Sequence, residues 1–249
     1  MSSPHPYPGR SALVERLRAE LARIDGARAS AAGVLPLGLA ALDGALPGGG
    51  LACGALHEIA AEARHGAAAA GFAALLLARF AERGAVVWIG RRLDLYAPGL
   101  AELGLDAGRL IAIRARRREE RLWALEEVLR TPGIAAGLAE IDKLGLTASR
   151  RLLLAAEAKG VSALLLRPAE ALAVPSAALT RWQIAALPGA GGRERRGPPR
   201  LAVELVRSRG GQEGAWAIEW RGGGWHEVAD PLAVAADAAH RPPGAAREA

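Results

Sequence analysis

Short apolar runs alternate with segments of helical periodicity over the central part of the chain. From residue 35 onward, five apolar runs have the length of buried strands: Leu56–Ala60, Val86–Ile89, Leu110–Ile113, Ile134–Ile141 and Val161–Leu166. Four segments between them end near a glycine or proline and predict helices: Ala67–Ala81, Tyr96–Leu103, Glu119–Arg130 and Thr147–Lys159. This alternation predicts an α/β fold, in which helices flank a mostly parallel, twisted sheet.

The pattern changes after residue 180, where only strands are predicted: Arg181–Leu187, Leu201–Arg207 and Ala215–Trp220. The segment SRGGQEG joins the last two strands as a hairpin. The basic segment PGAGGRERRGPPR predicts a flexible loop between the first two. We therefore expect antiparallel strands to extend the sheet at its C-terminal end.

An amphipathic helix is predicted ahead of this core, over residues 11–25. Ser11 can cap it, Gly26 ends it, and its apolar stripe consists of Leu13, Val14, Leu17, Leu21 and Ile24. The stripe must pack either on the chain's own core or on a neighbouring protein, as a self-association or partner helix. The predicted organisation is an N-terminal helix and linker (1–34), a core (35–230) and a flexible tail (231–249).

Composition narrows the class of protein. The 249 residues are 51% hydrophobic, but no run of about 18 apolar residues is free of charges, so no membrane span is expected. The start MSSPHPYPGR lacks the features of a secretory signal, and the single cysteine, Cys53, fits a reducing cytoplasm. The five histidines are scattered, so no metal site is predicted.

The formal net charge is +6, and almost all of the basic residues are arginines, since the chain has only two lysines. A basic balance favours polyanionic partners, although a GC-rich genome would also enrich arginine, alanine and glycine. Candidate contacts for a weak interaction with nucleic-acid phosphates are Arg91, Arg92, Arg114, Arg116, Arg117, Arg118, Arg193, Arg195 and Arg196. The alternative for residues 114–121 is a solvated helix start, which Glu119 and Glu120 partly neutralise. Trp123 and the tryptophans of the C-terminal strands are expected in the core.

Two long segments resemble the core of RecA-like ATPases. LPLGLAALDGALPGGGLACGALHEIA is similar to the entry into the phosphate-loop strand, and VVWIGRRLDLYAPGLAELGLDAGRLIAIRA is similar to the following unit. The resemblance covers roughly residues 35 to 220 and implies a RecA-like core.

A narrower resemblance rests on several dispersed motifs in one order: PLGLAALDGALPGGGL, GALHEI, DLYAPGL, LWALEEVLR, LTASRRLLLAAEAKGVSALLLR and TRWQIAA. Together they resemble the ImuA family, RecA-like accessory proteins of SOS-induced mutagenesis and translesion DNA synthesis in bacteria. The resemblance implies an ImuB-type partner, which is a catalytically inactive homologue of Y-family polymerases. It also implies RecA as a candidate partner and, through the complex, an error-prone replicative-type polymerase.

The RecA-like phosphate loop, G-x-x-x-x-G-K-[ST], falls on AEARHGAA at residues 61–68. Ala67 stands where the lysine is needed and Ala68 where the Mg²⁺-binding hydroxyl is needed, so neither phosphate charge nor metal can be bound there. Gly66 is expected to supply the turn. The positions of this altered nucleotide site are Ala61, Arg64, His65, Gly66, Ala67 and Ala68. Two alternatives stay open, namely a plain strand-to-helix connection and weak anion binding helped by Arg64 and His65.

Two further catalytic positions of RecA can be placed by resemblance. Arg92 falls where a glutamate orients the attacking water, and Glu140 or Asp142 falls where an aspartate accompanies Mg²⁺. Arginine cannot act as a general base, so the site is predicted to be non-hydrolytic, without cofactor or metal.

The two loops with which RecA binds DNA correspond here to DKLGL and RPAEALAVPSAAL, which are short and without aromatic residues. We therefore do not expect RecA-type wrapping around DNA. The predicted function is that of a non-catalytic interaction scaffold in translesion synthesis. The alternatives are a SulA-type inhibitor of cell division and a recombinase paralogue that still binds ATP. Homo-oligomerisation stays open.

Overall fold

The computed structural model describes residues 33–188 and 197–228. The predicted N-terminal helix with its apolar stripe, Arg193, Arg195, Arg196 and the predicted tail lie outside the described residues. The strands are β1 Val34–Leu35, β2 Leu51–Ala52, β3 Leu56–Ala61, β4 Ala85–Gly90, β5 Leu110–Arg114, β6 Ile134–Glu140, β7 Ser162–Pro168, β8 Thr180–Leu187, β9 Arg200–Ser208, β10 Gly214–Arg221 and β11 Gly224–Val228. The α-helices are α1 Ala40–Ala45, α2 Gly66–Ala81, α3 Ala97–Glu102, α4 Arg118–Arg130 and α5 Leu146–Lys159.

Nine strands form one sheet in the order β11-β10-β9-β8-β3-β7-β6-β4-β5. The six strands from β8 to β5 run parallel to their neighbours, and β9, β10 and β11 add to the sheet in antiparallel fashion. Strands β1 and β2 pair separately. This topology confirms the predicted α/β fold with a RecA-like parallel core and a C-terminal antiparallel extension. Strand β11 has no counterpart in the prediction.

Both faces of the parallel sheet are covered by helices. Side chains alternate along each strand, so Val86 and Trp88 of β4 face the core formed with α2, whereas Val87 and Ile89 face the core formed with α4 and α5. At the centre of the first core the Phe72 and Trp182 rings lie 5.5 Å apart. Burial on both faces explains why the parallel strands appear in the sequence as continuous apolar runs.

Helix α4 approaches β6 so closely that a Cβ atom on Gly137 would lie 2.6 Å from Cγ1 of Val128. The buried face of α4 consists of Arg121, Ala124, Leu125, Val128 and Leu129, at helical spacing. Trp123 lies off this face and is 66% exposed, so the expectation that it belongs to the core is wrong. Trp182 is fully buried, as predicted, whereas Trp216, Trp220 and Trp225 are only partly buried.

Candidate functional site

The altered phosphate loop is a tight connection between β3 and α2. After β3, residues Ala63–His65 form one 3-10 turn, and α2 starts directly at Gly66. Gly66 has φ −56° and ψ −38°, which are ordinary helical values, and a Cβ there would meet no atom within 4 Å. The expectation that Gly66 is needed for turn geometry is therefore wrong, because any residue with good helix propensity fits this backbone.

The polar side chains of this turn contact one another and β8. The Arg64 guanidinium lies 3.1 Å from a Glu62 carboxylate oxygen, and its Nε donates to Nε2 of His65 at 3.0 Å. Nδ1 of His65 lies 3.2 Å from the backbone N–H of Ala186. In both hydrogen bonds a ring nitrogen of His65 is the acceptor, and a neutral imidazole has only one accepting nitrogen. Only one of the two bonds therefore forms at a time, depending on the tautomer. An anion at this helix start would compete with Glu62 for Arg64. At the next two positions, the methyl group of Ala67 is exposed and that of Ala68 is buried.

Strand β6 ends at Glu140, which identifies the strand-ending carboxylate among the two candidates. One oxygen of Glu140 accepts from Nε1 of Trp88 and the other from the backbone N–H of Arg91, both at 3.2 Å. Asp142 is exposed two residues further on. Burial works to raise the pKa of Asp142, but hydrogen bonds from the backbone amides of Lys143 and Asp142, with Arg121 and Arg118 nearby, lower that pKa overall. Glu140 therefore holds the loop after β4 in place.

The carboxyl ends of β4 and β5 enclose a cavity of about 540 Å³. We call it the arginine pocket, and its lining residues are Arg91, Arg92, Leu93, Asp94, Arg114 and Arg116. The structure thus brings together four of the predicted phosphate contacts, including Arg92, which the sequence placed at the water-orienting position. Arg117 and Arg118 do not line this cavity, and they pair with Glu120 and Glu119 respectively.

A second cavity, of about 510 Å³, lies at the carboxyl ends of β6 and β7. Its walls include Lys143 and Gly145 from the short connection before α5, and Pro168 and Val174 from the connection after β7. The second connection starts with a 3-10 turn and continues into the buried residues Ser176–Leu179. Both connections are short, as the sequence predicts, and the cavity has mixed charge, since Arg118, Asp142, Arg167 and Glu170 also line it.

A buried ionic network in the central strands is absent from the sequence-based prediction. Glu58 of β3 accepts from Arg167 Nη1 and Arg181 Nε, both at 2.8 Å, and from the Ser176 hydroxyl at 2.7 Å. The side chains of Glu58, Arg167 and Arg181 are 1%, 2% and 7% exposed. One feature of the sequence could have predicted this network, namely the glutamate inside the apolar run LHEIAA. A charged side chain in a strand that is buried on both faces needs a partner of opposite charge.

The described residues contain neither a metal site nor a membrane-spanning helix. In residues 33–188 and 197–228, no three His, Cys, Asp or Glu side chains are arranged to hold a metal ion. Over the same ranges, the helices are too short or too polar to cross a bilayer.

Known proteins include close relatives of this sequence. The chain is 42% identical over 232 residues to "Protein ImuA" from Caulobacter vibrioides strain NA1000 / CB15N. It matches the protein of the same name from Caulobacter vibrioides strain ATCC 19089 / CIP 103742 / CB 15 to the same extent. Each match covers 84% of this chain and 95% of the relative. No family model matches the chain.

Proposed function

Because this chain belongs to the ImuA family, we propose that it acts in damage-induced mutagenesis in the bacterial cytoplasm, as a non-catalytic protein with a RecA-like fold. In this proposal it serves as an interaction scaffold for an ImuB-type protein, with RecA as a second partner and an error-prone polymerase recruited through the complex. The observation that carries the proposal is the helix start after β3, where Ala67 and Ala68 occupy the positions of the phosphate-loop lysine and hydroxyl.

The non-catalytic part of the proposal rests on what phosphoryl transfer requires. That reaction depends on a cation at the terminal phosphates, a held Mg²⁺ ion and a positioned water. Ala67 and Ala68 offer only methyl groups where the cation and the Mg²⁺ ligand are needed, and Arg92 stands where the water would be positioned. The Glu140 carboxylate accepts hydrogen bonds from Trp88 and Arg91. The fold is retained while the groups that would perform the reaction are replaced or engaged elsewhere.

We expect no hydrolysis of ATP by the purified chain. The measurement is phosphate release with Mg²⁺-ATP, run beside calorimetric titration of the same nucleotide. Ala67→Lys is the informative variant, because it restores the missing cation at an exposed helix position without disturbing the core. Turnover by the unaltered chain above the protein-free rate would contradict the non-catalytic proposal, and turnover that Ala67→Lys leaves unchanged would place the reaction at another site.

We expect the chain to retain the ImuB-type protein on co-purification at moderate salt. The contact proposed for the N-terminal stripe is tested by Leu17→Asp with Leu21→Asp, which places two charges on the apolar face and should reduce retention of the partner at least about tenfold. Ala12→Asp with Ala19→Asp is the matched control, since it adds the same charge to the opposite face of the predicted helix.

Two results of this assay would count against the proposal. If neither the ImuB-type protein nor RecA is retained by the unaltered chain, the scaffold function is wrong. If both are retained equally by the stripe variant and its control, the stripe is not the contact.

A further inference from the structure

The arginine pocket concentrates positive charge at one edge of the parallel sheet. Four arginines, Arg91, Arg92, Arg114 and Arg116, line one cavity together with a single acidic residue, Asp94. Within residues 33–188 and 197–228, none of these four arginines forms an ion pair, whereas the adjacent Arg117 and Arg118 pair with glutamates. We propose that the arginine pocket binds the phosphodiester backbone of single-stranded nucleic acid.

The loop after β4 is held in position by the side chain of Glu140. The Glu140 carboxylate accepts from the backbone N–H of Arg91 and lies directly against Gly90. A Cβ on residue 90 would lie 2.8 Å from Oε1 of Glu140 and 2.9 Å from the carbonyl oxygen of Arg92. Glycine at this position therefore allows the carboxylate and the loop to approach each other. As a result, Arg91 and Arg92 project from a backbone that is ordered before any ligand arrives.

The loop after β5 is fixed by Arg121, whose residue is 6% exposed. Its guanidinium donates to the carbonyl oxygens of Ala115 at 3.2 Å, Arg116 at 2.9 Å and Glu140 at 2.7 Å. The backbone N–H of Ala115 donates to the Gly90 carbonyl at 3.0 Å, so the two loops are also joined directly. Ala115, which stands between Arg114 and Arg116 in the chain, is buried. Its two neighbours therefore project together on the opposite, exposed side.

Both halves of the pocket thus depend on one residue, Glu140, through its carboxylate on one side and its carbonyl on the other. Because these contacts hold the backbone of both loops, binding would order only the arginine side chains and not the loops that carry them, which lowers its entropic cost. Guanidinium groups also match phosphate oxygens in geometry and remain charged at every physiological pH. The held backbone, together with the guanidinium chemistry, favours an anion site at these two loops.

Tyr96 indicates which polyanion fits. It is 72% exposed and lies two residues beyond Asp94, so the two Cα atoms are at most about 7 Å apart. A Cβ on Gly99 would lie 3.0 Å from Cδ1 of Tyr96, so the tyrosine ring lies over that glycine. Exposed aromatic rings beside a cationic groove are the arrangement with which proteins stack the bases of single strands. An acidic peptide would use the arginines but would not need the ring.

The proposal deepens and rests on the function proposed above, in which the chain is an interaction scaffold in damage-induced mutagenesis. It can nevertheless be tested with the purified full chain alone. Failure to bind nucleic acid would leave the co-purification result with the ImuB-type protein unaffected, and the reverse also holds.

The test is fluorescence anisotropy with a labelled oligothymidylate of about 20 nucleotides over a series of salt concentrations. If the four arginines contact phosphates, the logarithm of the affinity should fall with the logarithm of the salt concentration with a slope of about −3, since each contact on a single strand contributes about −0.7. Arg92→Ala with Arg114→Ala should weaken binding at least about tenfold and make the slope shallower by about 1.4. Arg150→Ala, an exposed arginine of α5 outside the pocket, is the control for the loss of one surface charge and should leave affinity nearly unchanged.

The tyrosine is tested separately by Tyr96→Ala, which should weaken binding roughly fivefold or more, while Tyr96→Phe should restore it because the ring is kept. The absence of oligothymidylate binding, or equal losses in the pocket variant and in Arg150→Ala, would overturn the proposal. Binding of polyglutamate with the same dependence on Arg92 and Arg114, in preference to the oligonucleotide, would assign the pocket to an acidic protein segment instead. Equal affinity for duplex DNA, with no effect of Tyr96→Ala, would contradict the choice of single strands.

Discussion

Replacing Glu58 with glutamine is expected to lower the free energy of unfolding by about 3–5 kcal/mol, because it leaves two buried guanidinium groups without a counter-ion. Glutamine has nearly the same shape as glutamate, so the effect isolates the charge. Its amide NH₂ would also face Arg167 or Arg181 as one donor against another, where the carboxylate oxygens now accept at 2.8 Å.

Within the described residues, no carboxylate other than Glu58 is hydrogen-bonded to Arg167 or Arg181. Arg181 already donates to the carbonyl oxygens of Leu172 and Ala171, which orient the guanidinium but do not neutralise it. Arg207 lies opposite Arg181 in the β8–β9 pairing, so the region holds a third arginine. Burial first, and then Arg209 and Arg181, lower the pKa of Arg207, while Glu58 works against this change. Glu58 is thus the carboxylate that makes the two buried arginines, Arg167 and Arg181, tolerable in the interior.

The measurement is urea unfolding of the unaltered chain and the Glu58→Gln variant at neutral pH. Glu157→Gln is the matched control, since Glu157 is exposed on α5 and the same substitution there should change stability by less than about 0.5 kcal/mol. If Glu58→Gln is as stable as the control, the buried network does not contribute to stability as argued. If the variant is recovered only unfolded, the prediction stands, because the control shows that the substitution itself is tolerated.

The core of the fold could be predicted from sequence because its strands are buried on both faces. Continuous apolar runs and helical periodicity predicted the parallel strands and the helices from α2 to α5 to within about two residues of the observed ends. Strand β11 could not be predicted in this way, since GWHEV contains no continuous apolar run and is partly exposed. Trp123 was assigned to the core on residue type alone, whereas the helical spacing of Arg121, Leu125 and Val128 excludes it from the buried face.

The candidate site was harder to predict because its residues are distant in the sequence and only the order of the strands in the sheet brings them together. Sequence identifies Arg91, Arg92, Arg114 and Arg116 as basic positions, but only the pairing of β4 with β5 brings them around one cavity. The function of Glu140 is likewise invisible in the sequence, where it has the position of a metal-associated acid. In the structure its carboxylate accepts from Trp88 and Arg91. In this structure Glu140 therefore stabilises the loop after β4 and, with it, the arginine pocket.

The second large effect is expected from pH and arises at His57, which is completely buried in β3. Nε2 lies 2.9 Å from the carbonyl oxygen of Ala52, which can only accept, so Nε2 carries the proton in the neutral ring. Nδ1 then accepts from the Thr180 hydroxyl at 2.8 Å, and that hydroxyl accepts from Nε1 of Trp182 at 2.9 Å. Every polar atom in this chain of hydrogen bonds is satisfied while the imidazole is neutral.

Burial lowers the pKa of His57 to about 4, and the hydrogen bond to Ala52 only partly opposes this change. In the unfolded chain the pKa of histidine is near 6.5, so the unfolded state takes up a proton first as the pH falls. Stability is therefore unaffected by His57 above pH 6.5 and decreases between pH 6.5 and pH 4. At about 1.4 kcal/mol for each pKa unit, the loss amounts to about 3 kcal/mol by pH 4.

We expect His57→Asn to remove most of this loss, which can be followed by urea unfolding at a series of pH values between 7 and 4. The informative quantity is the slope of the free energy of unfolding against pH, so a constant loss of stability from the altered packing does not affect the result. His226, an exposed histidine of β11, provides the matched variant His226→Asn, which should leave the slope unchanged. The carboxylates with lowered pKa values, Glu119 and Asp142, are present in all three proteins, so their contribution to the slope cancels when the proteins are compared. Equal slopes in the unaltered chain and in His57→Asn would show that the buried imidazole is protonated as readily in the folded chain as in the unfolded one, and the proposed hydrogen-bond chain from Ala52 to Trp182 would then be wrong.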